Sequence, residues 1–143
     1  VPAAALSGYA EDEPGMMSED EAIAAAFTAV GLDAHAQAAV LGNIGPFLTC
    51  LMPPSASPWI IEWVATLGPY RRGGLIDLLL REMLDEGRRQ GRRRGQIMVI
   101  AGNVTAQRAY ERVGFVMHEA RYTAPFEELL GARGLHRLSQ RLS

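Results

Sequence analysis

Apolar positions along this chain switch between two periods. Downstream of Gly74, Ile76, Leu79, Leu80, Met83 and Leu84 fall at i, i+3, i+4, i+7 and i+8, the stripe of a helix with one face turned to a core, and Gly91 ends it. Upstream, "PWIIEWVAT" is β-branched and aromatic behind a Pro-rich stretch. It predicts a strand from Trp59 to Thr66, with Ile60, Glu62 and Val64 on one face and Trp59, Ile61 and Trp63 on the other. "QIMVIA", Gln96 to Ala101, reads as a short buried strand. Asn103 opens a second helix in which Ala106, Ala109, Tyr110 and Val113 repeat the i, i+3, i+4, i+7 spacing, Gly114 stops it, and "FVMHEARY" follows as another strand.

The first part of the chain is helical by its caps. Ser18 with Glu21 forms a capping-box pair, "EDEAIAAAFTAV" runs on to Gly31, and Asp33 caps a second short helix. Ala10 to Met17, Pro46 to Pro58 and the region near Ala124 read as loops. The order strand, helix, strand, helix, strand over residues 59–122 predicts an α/β domain with two crossovers over one sheet. The expected layout is one domain: a helical and loop part over 1–58, a core over 59–122 and a tail helix over 123–143.

Composition removes several function classes. With 143 residues, 48% of them apolar, the chain can bury a core of its own. It contains no run of about 18 uncharged apolar residues and its start lacks the basic flank of a signal peptide, so a cytoplasmic protein without a membrane span is expected. The single cysteine, Cys50, and the scattered His35, His118 and His136 support neither a disulfide framework nor a metal site. The net charge of -2 divides unevenly: residues 1–70 hold 8 acids and no Lys or Arg, and residues 71–143 hold 8 acids and 14 arginines. The run "RRQGRRRG", Arg88 to Gly95, has no interleaved aromatics to stack bases, and its first arginines fall at a helix C-terminus, where cations complement the dipole. No nucleic-acid partner is expected. On the helix from Gly74, Asp77 with Arg81, Arg81 with Asp85, and Asp85 with Arg89 stand four apart as ion pairs. The acids between Glu11 and Glu21 suit a solvated loop and a helix first turn, with attraction of a cationic acceptor as the other reading.

The candidate chemistry lies in "PYRRGGLIDLLL", Pro69 to Leu80, at a strand-to-helix junction. A helix start leaves N–H groups unpaired, glycines admit a ligand to the backbone, and Arg71 and Arg72 can fork onto phosphate oxygens, so a diphosphate suits it. Neither a Walker loop nor a G-x-G-x-x-G fingerprint is present. On these residues alone, a tight turn with surface arginines fits equally well.

Tyr70, Arg71 and Gly74, followed by Asn103, Ala106, Tyr110, Gly114 and Phe115, stand in the register of the two cofactor motifs of another group of proteins. In this the chain resembles the GNAT superfamily of acyl-CoA-dependent N-acetyltransferases over about residues 59–122. The resemblance implies a central mixed sheet flanked by helices, with acetyl-CoA as cosubstrate, an amine as acceptor and no metal. It also implies a cofactor site made of Val64, Ala65, Thr66, Arg71, Arg72, Gly73, Gly74, Leu75, Ile76, Asn103, Ala106 and Tyr110. Backbone groups near Val64 to Thr66 would pair with the pantetheine arm in a gap between the strand at Trp59 and the strand at Gln96. Tyr110 would protonate the departing thiolate, its other reading being an ordinary core tyrosine. Glu62, the one ionisable residue of its strand, would serve as base or as the buried partner of an arginine. Two features depart from the family. Ile76 stands where a small residue is usual, expected here to point into the core. Few elements precede Trp59, so the fold is expected to be short at its N-terminal side, completed by a longer native chain, a partner segment or a second copy in a homodimer. If Ile76 or the lack of that part removes the acceptor site, the chain would be an acyl-CoA-binding module with no catalysis.

Overall fold

The computed structural model describes residues 2–143. Among these residues five strands and five helices follow one another as β1 (Ala4–Tyr9), α1 (Glu19–Val30), α2 (Ala34–Leu48), β2 (Trp59–Thr66), α3 (Leu75–Arg89), β3 (Arg94–Ile100), α4 (Val104–Arg112), β4 (Val116–Tyr122), α5 (Ala124–Leu130) and β5 (Gly134–Arg141). A 3-10 turn, Gly68–Tyr70, separates β2 from α3. The sheet runs β1-β2-β3-β5-β4, with β2 and β3 parallel and the other neighbours antiparallel. Among the described residues no helix is long and apolar enough to cross a membrane.

The sheet has a core on each face. Leu80 and Leu84 of α3, Tyr110 of α4, and Trp59, Ile61, Ile97, Val99 and Leu138 of the strands form one buried cluster. On the opposite side Met98 and Leu135 meet Phe126 of α5, Phe47 of α2, Cys50 and Met52, with the rings of Phe47 and Phe126 centred 5.6 Å apart. The alternation of Ile97, Met98 and Val99 between the two cores is the period of a strand buried on both faces. The expected caps form: Ser18 and Glu21 close a capping box, and Asp33 accepts from the Ala36 N–H. Helix α2 extends through Pro46 to Leu48, two residues past the expected start of the loop.

Four expectations are corrected. The tail is a short helix followed by a strand. Leu135, Leu138 and Leu142 at i, i+3 and i+7 imitate a helix, yet β5 inserts between β3 and β4, where the odd spacing sends Leu135 to one core and Leu138 to the other. The first part contains a strand as well as helices. "AALSGY" has little β propensity of its own and is a strand by virtue of pairing with β2, and a Cβ on its Gly8 would come within 2.3 Å of the Met83 sulfur of α3.

The faces of β2 do not alternate to its end. Ser7 opposes Glu62 but Ala5 opposes Ala65, so Leu6 faces both Trp63 and Val64 across a β-bulge, and Trp63 takes φ 54°. Val64 thereby joins the Trp59 and Ile61 cluster, and Trp63 stands 80% exposed. Finally, the predicted i, i+4 ion pairs of α3 give way to others. Asp85 binds Arg88, Glu86 binds Arg89, and Asp77 takes a two-pronged hydrogen bond from Arg112 of α4, at 3.0 and 2.8 Å. The planar fork of arginine favours such bidentate geometry over a single reach along the helix.

The Arg112 hydrogen bond holds the Asp77 carboxyl below its ordinary pKa. A depressed pKa stabilises the fold above the unfolded-state value, and the contribution disappears as pH falls through the folded-state value. Asp77→Asn is therefore expected to lower stability at neutral pH by under about 1 kcal/mol, because the pair is partly solvated. The difference from wild type should shrink in urea titrations as the medium is acidified and vanish once the folded-state carboxyl is protonated. A difference that persists in acid would assign it to packing instead.

Candidate functional site

The parallel pairing of β2 with β3 covers Trp59 with Gly95, Ile60 with Gln96 and Ile61 with Ile97, and goes no further. Beyond it, β2 continues to Thr66 held by β1 alone, and β3 continues to Ile100 held by β5 alone. The strands thus part at the bulge. Glu62 to Thr66 present toward β3 a strand edge without a ladder partner, the geometry that lets an extended ligand add its own hydrogen bonds.

Helix α3 begins beside the end of β2. The Leu67 N–H bonds the Ala3 carbonyl, Tyr70 and Arg71 N–H groups close the 3-10 turn on Leu67 and Gly68, and Arg71 Nε donates to the Thr66 carbonyl at 3.3 Å. The turn then passes through left-handed backbone at Arg72 (φ 67°) and at Gly74 (φ 76°). Gly74 is the N-cap and offers no side-chain acceptor to the first turn. That leaves its N–H groups directed outward with the positive end of the helix dipole, between the exposed Arg71 and Arg72. A Cβ at Gly74 would touch nothing within 4 Å, so the backbone angle is what favours glycine here. Gly73 is exposed in the same turn, Leu75 opens the helix half-buried, and Ile76 packs against the core cluster, away from the turn.

Helix α4 supplies the other wall. Asn103 caps it by accepting from the Ala106 N–H at 3.2 Å, and Ala106 lies half-buried against the same cluster as Val64, Ile76 and Tyr110. Tyr110 is buried edge-on to Phe115, with ring centroids 6.5 Å apart. Burial pushes its phenol above the usual value of 10.0, so it is protonated at neutral pH. Its hydroxyl makes no hydrogen bond among the described residues.

Glu62 is half-buried, and Tyr9 Oη donates to its Oε2 at 3.4 Å. Ser7 Oγ donates to the Glu62 carbonyl at 3.3 Å. The partner is thus a tyrosine on β1 and not the arginine that was the alternative expectation. Neither Tyr9 nor Ser7 was visible as part of this site from sequence, since only the β1 pairing brings them to Glu62. The fold therefore gathers Val64, Ile76, Ala106 and Tyr110 at one apolar cluster, sets the Arg71 to Leu75 turn at the end of β2, and puts Glu62 at the start of the parted strands.

The pattern of the Acetyltransferase (GNAT) family matches residues 11–115. A solved acetyltransferase structure superposes over 99% of this chain and 65% of its own, at 16% identity and a TM-score of 0.64. A GNAT-family acetyltransferase from Streptococcus pneumoniae matches at 20% identity and TM-score 0.53, over 60% of this chain and 50% of that one. The NatC complex bound to Gag peptide and CoA matches at 23% identity and TM-score 0.54, over 66% of this chain and 58% of that chain. At these identities the structures share the fold. This chain spans half the length of the Streptococcus pneumoniae protein. No curated protein matches the sequence.

Proposed function

The chain belongs to the GNAT acetyltransferase family, and from that premise we propose that it transfers acetyl from acetyl-CoA to a primary amine by direct attack, in the cytoplasm. The observation that carries the reading is the parting of β2 from β3 after the Ile61 and Ile97 pair, with the uncapped start of α3 beside it.

In this reading the N–H groups of Arg72 to Ile76 and the side chains of Arg71 and Arg72 bind the cofactor diphosphate. The free edge of β2 from Val64 to Thr66 hydrogen-bonds the pantetheine arm, and a backbone N–H there is aimed at the oxygen of the thioester carbonyl, where negative charge grows during attack. Asn103 and Ala106 line the cofactor side of α4. Glu62, directly or through a water, takes the proton that an ammonium must lose before its nitrogen can attack. The C–N bond forms, the C–S bond breaks, the protonated Tyr110 hydroxyl gives its proton to the departing thiolate, and the proton that the acylated nitrogen sheds returns through solvent to the Tyr110 phenolate.

The test is titration with acetyl-CoA, beside dephospho-CoA and ATP, followed by thiol release and product mass over a panel of amines. Selective binding with amine-dependent CoA release is expected. No saturable binding would overturn the reading, and binding without release from any amine would leave an acyl-CoA-binding module in its place. Glu62→Gln is expected to lower kcat by about a hundredfold or more and to leave acetyl-CoA affinity unchanged. An unaltered kcat would remove Glu62 from the mechanism.

A further inference from the structure

An open cavity of about 570 Å³ lies at the other end of the sheet, with Ser55, Arg93, Arg94, His118, Ser139 and Arg141 in its walls. Arg94 begins β3 and Arg141 ends β5, and the antiparallel register sets them directly opposite each other. Like charges so placed destabilise a sheet. Other arginines nearby are engaged: Arg137 by Glu119 and the Pro53 carbonyl, Arg92 by Asp12. By contrast, the side chains of Arg93, Arg94, Arg141 and His118, all four residues exposed, have no hydrogen-bond or ion-pair partner among the described residues.

The Ser55 wall is held in place. Ser55 directs its N–H and its hydroxyl to Gln96 Oε1, both at 3.3 Å, and Gln96 is only 2% exposed. Gln96 and its cross-strand partner Ser139 lie two residues from Arg94 and Arg141, hence on the same face. His118 sits at the register shift between Met117 and Glu119, an irregularity of the kind that re-aims a side chain. Arg94 and Ile100 stand six residues apart on β3, about 20 Å, so this cavity is distinct from the turn at Gly74.

We propose that this cavity is an anion site for a small ligand bearing phosphate or carboxylate groups, separate from the acyl-CoA cosubstrate. Guanidinium forks match such oxygens, the serine hydroxyls donate beside them, and a bound anion relieves the Arg94 and Arg141 repulsion.

The test titrates the whole chain with pyrophosphate and, separately, citrate at constant ionic strength, following heat of binding and the shift in Tm. Wild type, Gly74→Glu and the Arg94→Gln/Arg141→Gln double variant are compared. The structure predicts saturable binding of one or both probes, the stronger probe naming the oxyanion. Binding should persist in Gly74→Glu and weaken at least about tenfold in the double variant. Without ligand, the double variant should melt at the wild-type temperature or above it, and it should keep its acetyl-CoA affinity. Arg93→Gln, which leaves the cross-strand pair intact, should weaken binding in the same direction. Absence of saturable binding to either probe would overturn the proposal, as would binding lost in Gly74→Glu and kept in the double variant.

Discussion

Gly74→Glu is expected to weaken acetyl-CoA binding at least about a hundredfold while leaving the fold standing. A carboxylate about 4 Å from a phosphate charge at a protein surface is opposed by roughly 4 kcal/mol, which exceeds the 2.7 kcal/mol or so that a hundredfold requires. The cost to the fold is smaller. Gly74 holds φ 76°, which costs a side-chain-bearing residue about 1 kcal/mol, and a Cβ there meets no atom within 4 Å. Circular dichroism and urea unfolding should therefore stay close to wild type. Gly74→Ala separates the two effects, since it carries the backbone strain without the charge and should bind with only a modest loss. If Gly74→Glu binds acetyl-CoA as wild type does, the diphosphate is held elsewhere and the turn is only a turn.

What was legible in the sequence was local. The cap at Asn103, the stripe from Ile76 to Leu84 and the register of Tyr110 with Gly114 depend on residues three to eight apart, and each stands where the periodicity put it. What was illegible depended on partners far away in sequence. Strand β1 exists because β2 lies beside it, and β5 because β3 and β4 leave a vacancy between them, which a spacing of Leu135, Leu138 and Leu142 cannot reveal. The bulge at Trp63 and Val64 is the most consequential of these. "IIEWVAT" alternates as a plain strand, and only the count of β1 residues against β2 residues shows that Trp63 leaves the core face and Val64 takes it. The bulge falls just beyond the point where β2 parts from β3, and the regular pairing of β1 before it brings Tyr9 to Glu62. The spacing of the two motifs was therefore readable, and the environment of the proposed base was not.

Tyr110→Phe is expected to lower kcat by about a hundredfold or more, with little change in acetyl-CoA affinity and no loss of stability. The combination is unusual, because most changes that cripple a buried residue also weaken the fold. Here the ring keeps its edge-on contact with Phe115 and its place in the cluster with Ile97, Val99 and Val113. The deleted hydroxyl makes no hydrogen bond among the described residues, so its removal from a buried position is neutral or slightly stabilising. The pH profile carries the assignment further. Because burial raises the Tyr110 pKa above 10.0, an acid at this position stays protonated through neutral pH. The alkaline limb of kcat that it governs should fall above the ordinary tyrosine range and disappear in the phenylalanine variant. A variant with reduced kcat and an unaltered alkaline limb would show that the ring positions the cofactor and the proton comes from elsewhere. Full kcat together with raised stability would make Tyr110 a core residue and nothing more.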